Sequence, residues 1–262
     1  VLALAFLTFF NSDKPILFPD ITYSFYPVWA NVYRIPYECP KLTDDFRICP
    51  DDYKKENGGV VIANPNAPTS LALSRDEIEE IIAANQDAIV IVDEAYMEFE
   101  NESNSVLNEV ENYDNLIVLK TCSKAFGMAA IRLGIAVTNE KLTGILHAIK
   151  APYNVNSVTQ AIGCVLFSHP EYLASCIDAL KASRDELYQA VKAMEDKKTE
   201  IETVYETSTN FIFMKVKRAK EVFEALKQRG ISIRFMNGYL RVTAGTKAEN
   251  KEVMEALWEL IQ

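Results

Sequence analysis

Between residues 15 and 137, short runs of apolar and β-branched residues alternate with segments whose apolar positions recur every three to four residues. That is the pattern of strands joined by crossover helices. The clearest strands are 59–63, 88–92, 116–119 and 133–137, each apolar without interruption, which predicts a mostly parallel sheet covered by helices on both faces. Segment 74–85 has helical period, and Ser74 with Glu77 three residues on forms a capping-box start. Residues 1–10 are apolar nearly throughout and read as a buried helix, too short for a bilayer, which takes ~20 apolar residues. After Pro152 the helical period extends over 156–168 and 170–195, with Pro170 as a kink or a restart. Then follow strand 209–216, helix 218–229 ended by Gly230, strands 231–235 and 239–244, and helix 247–261. The expected fold is therefore α/β, with a large domain over 1–155, a sheet of seven-strand type, and an interdomain helix leading into a smaller α+β domain over 156–262.

Charge and composition narrow the chemistry. The 262 residues carry 27 Lys and Arg against 37 Asp and Glu, a net charge of −10, with no basic stripe. A nucleic-acid or anionic-membrane partner is not expected, because phosphates need clustered cations to release their counterions. Five cysteines without a C-x-x-C pair favour reduced thiols and a cytoplasmic setting, and two histidines, His147 and His169, argue against a metal site. The run 1–10 lacks the basic leader and cleavage site of a signal peptide. Val1 falls inside a helical pattern with no Met and no cap before it, so a chain lacking its N-terminal part is expected.

Open α/β sheets bind ligands at the carboxyl ends of their strands. Strand 59–63 runs into Asn64-Pro65-Asn66-Ala67-Pro68-Thr69-Ser70, and strand 88–92 ends in Asp93-Glu94-Ala95-Tyr96. Strand 116–119 leads to Thr121-Cys122-Ser123-Lys124, and Arg132 stands eight residues beyond Lys124. Taken singly, each has a plain structural use: Asp93 as a helix cap, Lys124 as a solvated amine, Thr121 and Ser123 as turn hydroxyls, Arg132 as an ion-pair member, Tyr96 as an amphipathic core residue. Taken together, a lysine, an aspartate on the neighbouring strand end and a hydroxyl-plus-guanidinium anion site are what pyridoxal phosphate needs: an amine for its aldehyde, a carboxylate for its pyridine nitrogen, donors for its phosphate.

These segments resemble the serial signatures of fold-type I, class II aminotransferases, nearest to the histidinol-phosphate aminotransferase subfamily. Thr22-Tyr23-Ser24-Phe25-Tyr26, Ala151-Pro152-Tyr153-Asn154-Val155-Asn156, Thr209-Asn210-Phe211-Ile212 and Leu240-Arg241-Val242-Thr243-Ala244-Gly245-Thr246 follow in the expected order, so the resemblance spans the chain. It implies that Lys124 attaches the cofactor and then moves the proton between substrate Cα and cofactor C4′. It further implies that Asp93 pairs with the pyridine nitrogen, Tyr96 donates to the ring 3-oxygen, Tyr23 stacks on the ring, and Thr121, Ser123 and Arg132 bind the phosphate. Arg241 would clamp a substrate carboxylate, and Arg234 would meet the phosphate of histidinol phosphate. The implied reaction passes an amino group between histidinol phosphate and 2-oxoglutarate in a homodimer. A related aromatic amino-acid aminotransferase or phospho-amino-acid decarboxylase shares the same cofactor residues, and a non-catalytic module keeping the fold is the alternative outside enzymes.

Three departures from the family pattern bear on the site. Ala67 stands where the family has the asparagine that bonds the ring 3-oxygen, which leaves Asn66 to take that contact. Ser70 replaces a glycine. The family's phosphate-anchoring turn and substrate-binding N-terminal arm are expected before Val1, so the chain as given is expected to hold the cofactor poorly.

Overall fold

A computed structural model describes residues 1–262. In chain order the elements are α1 (Leu2–Phe9), β1 (Ile16–Leu17), α2 (Phe25–Tyr33), β2 (Tyr37–Glu38), β3 (Gly59–Ala63), α3 (Arg75–Ala84), β4 (Val90–Asp93), β5 (Leu116–Thr121), β6 (Gly134–Thr138) and α4 (Glu140–Ile149). Then come α5 (Ser157–Phe167), α6 (Pro170–Glu195), β7 (Ile201–Val204), β8 (Phe211–Val216), α7 (Ala219–Gln228), β9 (Arg234–Met236), β10 (Tyr239–Thr243) and α8 (Lys247–Leu260).

The first sheet has the order β2-β1-β3-β4-β5-β6, parallel except for β6, which runs antiparallel to β5. Alternation along its strands feeds two cores. Val60, Ile62, Val90, Val92, Leu116 and Val118 pack on Ile78, Ile81 and Ile82 of α3. Their neighbours Val61, Ile91, Ile117 and Leu119 pack on α1, α2 and α4 through Ala5, Phe6, Tyr26, Ala30 and Leu142. Helix α3 starts as expected: Ser74 accepts from the Glu77 amide while the Glu77 carboxylate accepts from the Ser74 amide.

The expectation of a seven-strand sheet is corrected to six, two of them, β1 and β2, only two residues long and too short to show in an apolar pattern. The 133–137 run is also corrected. It forms an antiparallel edge strand that is mostly half-buried, because only one side of it has a neighbouring strand.

Pro170 is a restart, at the first turn of α6, where its missing N–H costs nothing. The second sheet, β7-β8-β10-β9, is antiparallel throughout and includes a strand, β7, that the sequence pattern did not single out. On one face Ile212, Met214, Val216, Leu240 and Val242 pack on α6, α7 and α8. Phe211, Phe213, Tyr239 and Arg241 alternate with these along β8 and β10, so they belong to the other face. The strand expected over 231–235 is corrected to Arg234–Met236, which leaves only two residues before β10. Asn237 and Gly238, both at positive φ (44° and 97°), close the turn as a two-residue hairpin.

Candidate active site

Strand register brings the polar strand ends to one edge. Ala63 pairs with Asp93 and Asp93 with Leu119, so the Asn64–Ser70 loop, Asp93 and the segment after β5 are neighbours. Because β6 returns antiparallel with Thr121 opposite Gly134, both Lys124 and Arg132 lie in the loop that leaves and re-enters this edge. The Cys122 amide donates to the Leu133 carbonyl at 3.0 Å and the Met128 amide to the Cys122 carbonyl at 2.8 Å, which closes the loop.

The Asp93 carboxylate accepts from the Tyr26 hydroxyl at 3.0 Å and from the Ala95 amide at 3.2 Å. Burial raises its pKa above the ordinary carboxylate range, against the lowering effect of those two hydrogen bonds. Tyr26, fully buried on α2, is a site residue whose role no motif in the chain marks. Its hydroxyl pKa is pushed well up by burial and by Asp93, so it stays a donor.

The Lys124 amine sits 5.2 Å from the centre of the Tyr96 ring and is exposed. Tyr96 meets Phe211 edge to face at 5.6 Å, and the Arg241 guanidinium lies over that same Phe211 ring, 4.6 Å from its centre. Tyr23 is half-exposed, edge-on to Tyr26 at 5.5 Å and stacked on Phe25. Its hydroxyl pKa is raised by burial, then by Asp93 and Tyr96, with Arg132 opposing.

The Thr121 hydroxyl oxygen accepts from the Ser123 amide at 3.2 Å. Arg132 adopts a left-handed backbone (φ 54°) and donates only to the Ala129 carbonyl, leaving most of its guanidinium for an anion. Arg234 and Arg241 are direct cross-strand partners. Arg241 Nε is buried with no hydrogen-bond partner, and its pKa is lowered by burial and then by Arg234. A buried donor of this kind calls for an acceptor from a ligand.

Asn66 departs from its expected role. Both protons of its amide nitrogen are committed, to the Ile21 carbonyl and the Thr69 hydroxyl at 2.9 Å, and its oxygen accepts from Thr22 at 2.7 Å. It braces the loop and has no free donor for a ring oxygen.

A mostly parallel sheet with Asp93 and the Lys124–Arg132 loop at one edge, joined to a small antiparallel sheet that carries Arg234 and Arg241, has the fold of the type I pyridoxal-phosphate transferases. The aminotransferase class I and II family profile matches residues 1–257, and the chain belongs to that family, on its histidinol-phosphate aminotransferase branch. It is 39% identical over 272 residues to the histidinol-phosphate aminotransferase of Lactococcus lactis subsp. cremoris, with all of this chain and 74% of that protein covered. Among solved structures, the histidinol-phosphate aminotransferase of Clostridium acetobutylicum superposes with a TM-score of 0.89 at 20% identity, over 99% of this chain and 80% of that one. The Sinorhizobium meliloti enzyme in complex with pyridoxal-5'-phosphate superposes with a TM-score of 0.85 at 17% identity, over 98% and 73%. These two likenesses show the fold. The family uses pyridoxal phosphate, and no helix is long and apolar enough to cross a membrane.

The raised pKa of Asp93 makes a prediction for cofactor-free protein. A carboxyl whose native pKa lies above its unfolded value favours the fold while protonated, so this stabilisation is present at low pH and is lost as pH rises from about 4 through the raised native value. Asp93→Asn, which keeps an acceptor for Ala95 and a partner for Tyr26, should therefore match or exceed wild type in melting midpoint at neutral pH while losing transfer activity. Melting curves across pH check this, and a midpoint at neutral pH well below wild type would contradict it.

Proposed function

We propose that the protein moves an amino group between histidinol phosphate and a 2-oxo acid, 2-oxoglutarate foremost, with pyridoxal phosphate as cofactor. The observation that carries this reading is the buried, unpartnered Arg241 Nε beside Arg234, linked through Phe211 and Tyr96 to Lys124. The histidinol-phosphate aminotransferase activity of the Lactococcus lactis relative points the same way.

Pyridoxal phosphate, when bound, supplies an aldehyde and a pyridine ring that draws electrons from the substrate's Cα. Asp93, its oxygens oriented by Tyr26 and Ala95, offers a negative charge to the ring nitrogen. Thr121, Ser123 and Arg132 bind the phosphate, Tyr96 donates to the ring oxygen, and Tyr23 covers a ring face. Lys124 holds the cofactor and takes and returns the proton at substrate Cα. Arg241 orients a carboxylate, and Arg234 a phosphate.

This reading includes a larger domain over 1–155, a smaller one over 156–262, a cytoplasmic setting in keeping with five unpaired thiols, and a homodimer. Leu7 of α1 and Phe25, Val28 and Val32 of α2 keep 41–59% exposure, apolar surface that a second copy would cover.

The two arginines separate the half-reactions. Histidinol phosphate has no carboxylate, so Arg234→Ala should lower kcat/KM for it far more than for unphosphorylated histidinol, by about the 2–5 kcal/mol of one lost partner in a buried charge pair. The exposure of Arg234 puts the expected loss at the low end of that range. Equal losses for the two amines would remove phosphate recognition by Arg234 and favour an aromatic amino-acid aminotransferase.

A further inference from the structure

Four polar side chains lie between the two sheets and have no part in the reaction proposed above: Ser70, Thr207, Thr209 and Arg184. Ser70 is completely buried and holds a left-handed backbone, φ 71°, which strains any residue with a Cβ. Its backbone is tied on both sides, the amide to the Asn66 carbonyl at 2.8 Å and the carbonyl to the Ser208 amide at 2.9 Å. A glycine, the family's usual residue, would relieve the strain, so the hydroxyl must be what serine adds.

The hydroxyls converge on one carbonyl. Thr207 donates to the Phe211 carbonyl at 2.7 Å, and Ser70 donates to the Thr207 oxygen at 2.9 Å. Thr209 meets Ser70 at 2.8 Å and also reaches the Phe211 carbonyl, at a longer 3.3 Å, so the Ser70–Thr207 path is the shorter of two. Such networks polarise in concert. Arg184, buried on α6, holds the carbonyls of Thr207 at 3.3 Å and Thr209 at 2.9 Å from one nitrogen, and reaches the Phe99 carbonyl of the first sheet's side at 3.3 Å. The network ends on Phe211, whose ring carries the Arg241 guanidinium and lies perpendicular to that of Tyr96.

We propose that Ser70 is a positioning residue: its hydroxyl, through Thr207 and the Phe211 carbonyl, sets the Phe211 ring and so the direction in which Arg241 presents its buried donor to a substrate carboxylate. The loop beside the cofactor site and the carboxylate-binding arginine of the other sheet are thereby held in one frame. Only the kinetic arm of the test rests on the transamination reading.

The test compares wild type with Ser70→Gly, which removes hydroxyl and strain together, and Thr207→Val, which breaks the chain at its next link with the serine kept. Arginine labelling by phenylglyoxal, followed by mass spectrometry, reports Arg241 with Arg234 as the internal reference. Both variants are expected to label Arg241 about five-fold faster relative to Arg234, the size of one net hydrogen bond, with the melting midpoint of Ser70→Gly at or above wild type. In turnover both should raise KM for 2-oxoglutarate by a similar factor and leave kcat within about two-fold. An unchanged Arg241 to Arg234 ratio in both variants overturns the proposal, as does a rise at both arginines together with a lowered midpoint, which is general loosening. A wild type that transfers no amino group would sink the functional reading alone, since the labelling ratio still decides the role of Ser70.

Discussion

Replacing Lys124 with alanine is expected to lower amino-group transfer by about 10²–10⁴-fold, the contribution of a positioned acid-base group, and to remove covalent attachment of the cofactor altogether. The amine stands over Tyr96 at 5.2 Å, free of any carboxylate partner that would hold it elsewhere, in the loop whose two ends Cys122 and Leu133 tie together. No second lysine shares that place: Lys120, four residues earlier, is locked between Glu94 and Glu98. Borohydride reduction of the protein mixed with pyridoxal phosphate should fix a pyridoxyl group on the peptide containing Lys124, and mass spectrometry locates it. Label on a different lysine, or transfer by Lys124→Ala at the parental rate, would rule the assignment out.

The second large effect falls on stability. Glu94, completely buried, accepts from the Ser105 hydroxyl at 2.7 Å, from the Val106 amide at 2.9 Å and from the Lys120 ammonium at 2.9 Å. Lys120 also meets Glu98 at 3.0 Å. Burial works against the Lys120 charge, and the two carboxylates outweigh it, so its pKa is raised. Lys120→Ala leaves Glu94 buried and without its cation, and should cost about 3–5 kcal/mol in urea unfolding. The exposed pair Arg229–Glu259 is the comparison: Arg229→Ala should cost less than about 1 kcal/mol, because water screens that attraction. Similar losses for the two variants would show that the buried cluster is no more than a surface pair in energetic effect. Glu94 adjoins Asp93, so the same cluster braces the turn that carries the Asp93 carboxylate.

Much of the site was legible in the chain because the relevant contacts are local. Asp93 at the tip of an apolar strand, Thr121, Ser123 and Lys124 just past the next one, and Arg132 eight residues on need only strand boundaries to be placed at one edge. The start of α3 is likewise a matter of four consecutive residues, and the hydroxyl and carboxylate of Ser74 and Glu77 cap it wherever the helix lies.

Periodicity and caps act within a few residues, so the run of elements and the residues at their ends are written in the chain. Long-range packing sets the antiparallel direction of β6, which puts Arg132 in the same closed loop as Lys124, and stands Arg234 directly across from Arg241. It also decided that Tyr26 serves Asp93, that Asn66 spends its donors on Ile21 and Thr69, and that Ser70 meets hydroxyls 137 and 139 residues away. Strand direction, register and side-chain partnership across such separations depend on which surfaces pack together, and no local pattern in the chain encodes that choice.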